Sequence, residues 1–362
     1  MISLNILDYL KKYGDTLLKD IPLNEVDYLI LTRISYLPLD TVLKKHERKK
    51  MRELWHRFQK LKNYNLHYLW RGDKLLFPLV LGVARYANFK LSKYKIDIDT
   101  EHIVQFAAVT IEIDNARAFI SYRGTDDSIT GLKDDFLMTY LSHTYSQKYA
   151  LEYLENVSPK YEHLILGGHS KGGNLAMYSA IFIEDVIKNK IDVIYNIDGP
   201  GFQDEIVTLD EYNAIVPKIK TYLSEDSIVG MFLNHKEERI VIKSTASLIF
   251  EHDIYSWVVE DLTLKRAENI STISTHIDKS IKDWWQEIDY GSRRTVIEII
   301  FTCLDSVDIT TYSEIKKNTL AKAKKLYMSY KGLTPEDKQK INETLLMILS
   351  IVKSSLFTSK KK

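Results

Sequence analysis

The sequence predicts an α/β fold: a mostly parallel sheet flanked by helices, with helical additions at both ends. Three observations carry this. Short β-branched runs alternate with helix-compatible segments between residues 103 and 243. One of these runs passes through a glycine-rich turn directly into a helix of small residues, Gly172 to Ala180. Helical periodicity dominates the stretches before and after that part.

The first part, residues 1–100, reads as helical. Tyr9, Leu10, Leu17 and Leu18 share one side of a first segment. Pro22 and Asn24 open a second, with Val26, Leu29, Ile30 and Ile34 at helical spacing. A third is expected over Leu39 to Lys62, its basic cluster Lys44 to Lys50 forming a solvated face. Phe77 to Tyr86 fits a core helix.

Residues 101–260 carry the sheet. Val104 to Ile113 and Ala118 to Tyr122 flank the turn Asp114-Asn115 and read as a hairpin. Strands follow at Glu162 to Leu166, Lys190 to Ile197, Lys218 to Leu223 and Glu238 to Lys243, with helix-compatible segments between them. This alternation predicts a doubly wound parallel sheet. Residues 261–362 return to helix. Ile273, Ile277, Ile281, Trp284 and Ile288 form one apolar face there. The apolar faces at both ends must be buried, either as helical layers on the sheet or, for part of the N-terminal region, as a cap over the site.

Several classes of function are disfavoured. A net charge of +1 over 362 residues gives no electrostatic reason to expect nucleic acid. No metal-ligand cluster and no glycine-rich nucleotide loop is visible, so no cofactor is expected. The longest late apolar run, Leu345 to Val352, falls far short of the roughly 20 residues of a membrane span. The segment Met1 to Lys12 lacks the pattern of a signal peptide, and the single cysteine, Cys303, suits a reducing compartment. The expected location is therefore the cytoplasm.

The chemistry centres on Gly168-His169-Ser170-Lys171-Gly172. This is G-x-S-x-G between an apolar strand and a helix, the context in which a strained turn lifts a serine hydroxyl above the sheet. Side chains two residues before and after the serine would collide, so glycines stand there. A serine hydroxyl needs a base, and the base needs an orienting acid. In the chain order serine, acid, histidine, the base comes from His235 or His252, because His276 falls inside a helical pattern. His252 is preferred, since it opens a polar-aromatic stretch after an apolar run. Asp226, just beyond the strand Lys218 to Leu223, is the preferred acid, with Asp198 as the alternative. The oxyanion donors are expected from the N–H of Lys171 and from the loop Gly124-Thr125. Arg123 has two readings, a substrate contact or an ion-pair partner for Asp134 or Asp135.

Taken together, Tyr122-Arg123-Gly124-Thr125 and Gly168-His169-Ser170-Lys171-Gly172-Gly173-Asn174 resemble the α/β-hydrolase superfamily, nearest its class 3 lipase-like branch. More closely, the chain resembles the bacterial Mbeg1-like proteins (DUF2974). The features that match are Gln105-Phe106-Ala107, Arg123 to Asp126, the serine elbow, Asp198 to Phe202, Ile228 to Met231 and His252 to Trp257. The resemblance spans residues 1 to about 260. It implies an α/β-hydrolase fold and serine chemistry, and brings no substrate with it. The leading expectation is a lipase-like carboxylesterase acting on a small-molecule acyl ester or lipid. A thioesterase or acyltransferase using the same serine, and a non-catalytic binding protein on a hydrolase fold, are the alternatives.

Overall fold

The computed structural model describes residues 4–61, 68–287, 290–306, 311 and 319–343. Its centre is an eight-stranded sheet in which strand order follows the chain: β1 (Arg48–Lys50), β2 (Lys90–Asp99), β3 (Val104–Glu112), β4 (Arg117–Tyr122), β5 (His163–His169), β6 (Ile191–Ile197), β7 (Ile219–Ser224) and β8 (Arg239–Ile242). The strands from β1 to β4 pair antiparallel, and those from β4 to β8 pair parallel. The expected hairpin is β3–β4, with Ala108 opposite Tyr122 and Glu112 opposite Ala118.

Because the strand order never reverses, right-handed crossovers place every connecting helix on the same face. The chain therefore departs from the doubly wound arrangement expected of it. One face carries α6 (Tyr145–Val157), α7 (Lys171–Phe182), the single turns α8 (Asp185–Lys188) and α9 (Asp204–Val207), and α10 (Asp210–Ile215), packed on Phe106, Ile120, Leu164, Leu166 and Ile194. Glycine and alanine in α7 let that helix lie close to the strands.

The opposite face would be bare without the N-terminal region. Helices α1 (Ile6–Tyr13), α2 (Glu25–Arg33) and α4 (Arg71–Gly82) cover it, burying Val26, Leu29 and Ile30 in one cluster with Val109, Phe119 and Ile165. Asn5 and Asn24 start α1 and α2, each closing a capping box with an aspartate three residues on. The N-terminal helices are thus a layer of the sheet. The predicted third helix, Leu39 to Lys62, is cut short: only α3 (Met51–Phe58) is helical at its core, and the basic cluster runs into strand β1. Strands β1 and β2 both fall inside residues 1–100, where helix alone was expected. In β2 the alternation of Ile96 and Ile98 with charged residues is the strand signal.

Of the C-terminal residues, α11 (Thr272–Glu287) buries Ile277, whereas the side chains of Ile281 and Trp284, the residue Ile288 and the run Leu345 to Val352 lie outside the described residues. Helix α12 (Tyr290–Asp305) packs Ile297 and Phe301 against Leu137 of α5 (Ile129–Leu137). Among the described residues, no helix is long and apolar enough to cross a membrane.

Two buried glutamates fasten the sheet. Glu112 at the end of β3 accepts hydrogen bonds from Arg48, Lys160 and Ser92. Glu237 accepts from His235, Tyr212 and Thr221. Burial alone would raise both carboxyls, but these donors overrule it and hold each at about 2. A carboxyl lowered in the folded state binds fewer protons than its unfolded counterpart between about 2 and 4.5. Its stabilisation is complete above the unfolded value and is lost as pH falls toward 2. The loss is on the order of 3 kcal/mol for each group. Urea midpoints should therefore fall steeply between pH 5 and pH 3 (roughly, by this linkage), and Glu112→Gln should flatten that slope. An unchanged slope in the variant would refute the assignment.

Candidate active site

The parallel register brings three chain segments to one edge of the sheet. Tyr122 of β4 lies opposite Gly168 of β5, and His169 of β5 opposite Ile197 of β6. The loop after β4, the turn after β5 and the turn after β6 therefore emerge side by side, at the carboxyl ends where α/β sheets bind ligands.

The turn after β5 is the elbow. Ser170 has φ 57 and ψ −135, a backbone conformation costly for any residue with a side chain. Its N–H is held by the carbonyl of Ile197 at 2.9 Å. A Cβ on Gly168 would come within 2.2 Å of the Gly172 backbone, and one on Gly172 within 2.3 Å of the Tyr122 carbonyl. The spacing of glycines around the serine is thus a packing requirement of the turn.

The turn after β6 brings a carboxylate to His252. Asp198 is fully buried, has φ 50, and its Oδ2 lies 2.7 Å from His252 Nδ1. Its other oxygen accepts the Ser227 hydroxyl at 2.5 Å, so the carboxylate cannot swing. With Nδ1–H given to Asp198, His252 keeps its Nε2 lone pair. His252 is fixed from a second direction as well. The ring of His169, next to the serine, packs on it at 4.5 Å, and His169 Nε2 donates to the His252 carbonyl at 2.8 Å. Burial, with His252 beside it, drives the His169 imidazole well below its usual range, so it stays neutral and keeps this tautomer.

Asp226, the acid preferred from the sequence, does not meet His252. Its Oδ2 instead accepts the N–H of Leu248 at 3.1 Å, and its own N–H donates to Glu251. Leu248 has φ 55 and begins the 3-10 segment Leu248–His252, so Asp226 braces the loop that carries the histidine. The physical reason is strand order. Strand β6 neighbours β5, while β7 lies one strand further away, about 4.8 Å more. His235 is also elsewhere. Its ring is buried against Glu237 at 2.8 Å, in a cluster with Tyr212 and Thr221. His276 is exposed on α11.

The loop after β4 differs from the arrangement expected for oxyanion donors. Gly124 sits against the elbow: a Cβ there would lie 3.1 Å from Ser170 Cβ. Its N–H, however, donates to the Tyr36 hydroxyl at 2.9 Å, so it is not free for a ligand. The Thr125 hydroxyl donates to Asp135 at 2.6 Å, while the Thr125 N–H has no acceptor among the described residues. Lys171 occupies the first position of α7, where an N–H has no intrahelical acceptor.

The Lys171 side chain has a separate task. It is buried, and its ammonium donates to Gln105 Oε1 at 2.8 Å, the Gln105 carbonyl at 3.0 Å and Asp134 Oδ2 at 2.7 Å. This ties the elbow to β3 and α5. Arg123, weighed against the same aspartates, pairs instead with Asp126. Sequence reasoning missed this cluster and Tyr36 alike. Gln105, Lys171 and Asp134 converge only after folding, and no spacing announces them.

Beside Ser170 opens a cavity of about 250 Å³ lined by Leu132, Phe136 and Met138 from the α5 segment and by Ile228, Val229 and Phe232 from the loop after β7. Pro200, Leu233, Asp135, Thr139 and Lys171 complete the wall. No described residue of the first hundred lines it; its wall comes from the α5 segment, which packs on α12, and from the loop after β7, so the described N-terminal residues do not cap this cavity.

A family model described as Mbeg1-like matches residues 81–302. No curated protein matches the chain. Among solved structures, M37 lipase is 19% identical with a TM-score of 0.26, the match covering 35% of this chain and 50% of that one. The chain thus spans half the length of that lipase. A fungal lipase solved as an inhibitor complex is 16% identical with a TM-score of 0.31, covering 43% of this chain and 67% of that one.

Proposed function

The chain belongs to the Mbeg1-like family, and on that premise we propose that it is a lipase-like serine hydrolase that cleaves esters of apolar acyl chains. The observation that carries the reading is the buried Asp198 holding the His252 ring, beside an elbow that forces Ser170 to φ 57.

The roles follow from the chemistry. Ser170 Oγ attacks the acyl carbonyl while His252 Nε2 takes its proton. Asp198 stabilises the imidazolium that results. The oxyanion of the tetrahedral intermediate receives the N–H groups of Lys171 and Thr125. Collapse expels the alcohol, which leaves with the proton from His252, and an acyl-serine remains. Water then attacks this ester by the same route, releasing the carboxylic acid and restoring Ser170.

The cavity supports an apolar acyl group. Its walls are mainly aliphatic and aromatic, and the neighbouring Lys171 charge is already spent on Asp134 and Gln105. An apolar cavity of about 150 Å³ takes up a benzene ring. By that measure the ~250 Å³ here accommodates an acyl chain of roughly ten carbons.

A fluorophosphonate probe should label the protein, and p-nitrophenyl esters should be turned over fastest at intermediate length, octanoyl ahead of butanoyl and palmitoyl. Absence of labelling together with absence of ester turnover would refute the reading. A palmitoyl optimum would overturn the size argument alone.

A further inference from the structure

The N-terminal layer does more than cover the sheet. The short 3-10 turn Ile34–Tyr36, which follows α2, reaches the elbow. The Tyr36 hydroxyl accepts the Gly124 N–H at 2.9 Å and donates to the His169 carbonyl at 3.0 Å. One hydroxyl therefore joins the loop that carries Thr125 to the residue that precedes Ser170. The fit is tight, since a Cβ on Gly124 would stand 2.3 Å from that oxygen. Burial pushes the phenol up to about 12, so it remains neutral and keeps the proton it donates.

Tyr36 is itself gripped. The Arg33 guanidinium lies 3.8 Å from the centre of its ring. Arg33, fully buried, makes a two-point bond to Asp73 at 2.6 and 2.7 Å. The Tyr255 hydroxyl, three residues after His252, donates to the same Asp73 at 2.8 Å. A buried pair of this kind adds little net stability, because desolvation consumes most of its attraction. It does fix directions, and the directions here run to both halves of the site.

We infer that Tyr36 is a positioning residue, setting the oxyanion loop against the Ser170 elbow, and that the buried Arg33–Asp73 pair keeps Tyr36 and the His252 segment in register. This rests on the serine-hydrolase reading. Tyr36 touches no substrate; it acts through Gly124 and His169.

The test is Tyr36→Phe, which keeps the ring on Arg33 and removes only the hydroxyl. An ångström of misplacement costs on the order of a hundredfold in rate, so kcat should fall roughly ten- to a hundredfold with KM nearly constant. The matched control is Tyr86→Phe. It removes another buried hydroxyl of the same layer, bonded to Asp27 at 2.5 Å, and should lower stability comparably without moving kcat. A folded Tyr36→Phe protein with wild-type kcat overturns the inference, as does an equal kcat loss in Tyr86→Phe. Should Tyr36→Phe not fold, Tyr255→Phe reads the brace from its other end: a severalfold loss of kcat at constant KM supports it, and an unchanged kcat overturns it. A wild-type protein that labels with fluorophosphonate while Tyr36→Phe reacts as fast removes this inference alone. A wild-type protein that neither labels nor turns over esters removes the hydrolase reading with it.

Discussion

Ser170→Ala is expected to lower kcat by something on the order of 10⁴ to 10⁶ and to abolish fluorophosphonate labelling, with the fold intact. Both halves of that statement have a structural basis. Ser170 sits at φ 57 whether or not it carries a hydroxyl, because the Ile197 carbonyl holds its N–H and the flanking glycines hold the turn. Alanine inherits the same strain, so stability should move by no more than about 1 kcal/mol. Ser170→Gly sharpens the test. Glycine relieves a conformation that costs about 1 to 3 kcal/mol, so this inactive variant should melt above the wild type. Such a gain is the signature of a strained functional residue, stability exchanged for position. Undiminished ester hydrolysis in Ser170→Ala would sink the assignment of the nucleophile. A glycine variant less stable than the wild type would show that the strain is not stored at this residue.

The elbow was legible in the sequence because its rule is local. Two glycines, a serine and a strand-to-helix switch lie within a dozen residues, and each has a reason that involves only its neighbours. The hairpin β3–β4 and strands β5 to β8 were legible for the same reason, since turn residues and β-branched runs are written next to one another. The identity of the acid was not. Asp198 and Asp226 both follow strands, and both end up near the His252 segment, one on its ring and one on the backbone at Leu248. Only strand order separates them, and strand order is a property of the assembled sheet. The same holds for Gly124, whose N–H looks available until Tyr36, almost ninety residues earlier in the chain, closes over it. Strand β2 escaped for a different reason: its alternating signal is confined to Ile96-Asp97-Ile98-Asp99, too short a run to stand out from the helical periodicity before it.

The sheet's one-sided winding explains why the N-terminal region could not be dispensable. Every crossover helix lies on the face of α6 and α7, so the other face must be closed by chain from outside the βα alternation. That requirement is what brings Arg33, Tyr36 and Asp73 to the back of the elbow. A layer recruited to bury apolar surface thus comes to hold polar groups at the site, and a truncation there would remove both.

Asp198→Asn should reduce kcat by about 10⁴, close to the effect of losing His252, while Asp226→Asn should cost less than tenfold or so. The argument turns on tautomers. An amide facing Nδ1 can donate as well as accept, so it favours the imidazole with its proton on Nε2, the wrong nitrogen for a base that must take the Ser170 proton. It also removes the negative charge that stabilises the imidazolium. The substitution is otherwise mild, because asparagine tolerates the positive φ of 50 at this position and can still accept the Ser227 hydroxyl. Asp226 is different. Its Oδ2 accepts a backbone N–H, a bond that an asparagine oxygen can make as well, so the His252 loop keeps its brace. His235→Ala supplies the third comparison. It leaves the Glu237 carboxylate buried without one of its donors, which should cost a few kcal/mol of stability, yet it should spare kcat in the protein that remains folded. Steady-state kinetics on the three variants, with melting curves alongside, separate these cases. Equal losses from Asp198→Asn and Asp226→Asn, or a larger loss from the latter, would show that the carboxylate bonded to His252 is not the one that serves it in turnover.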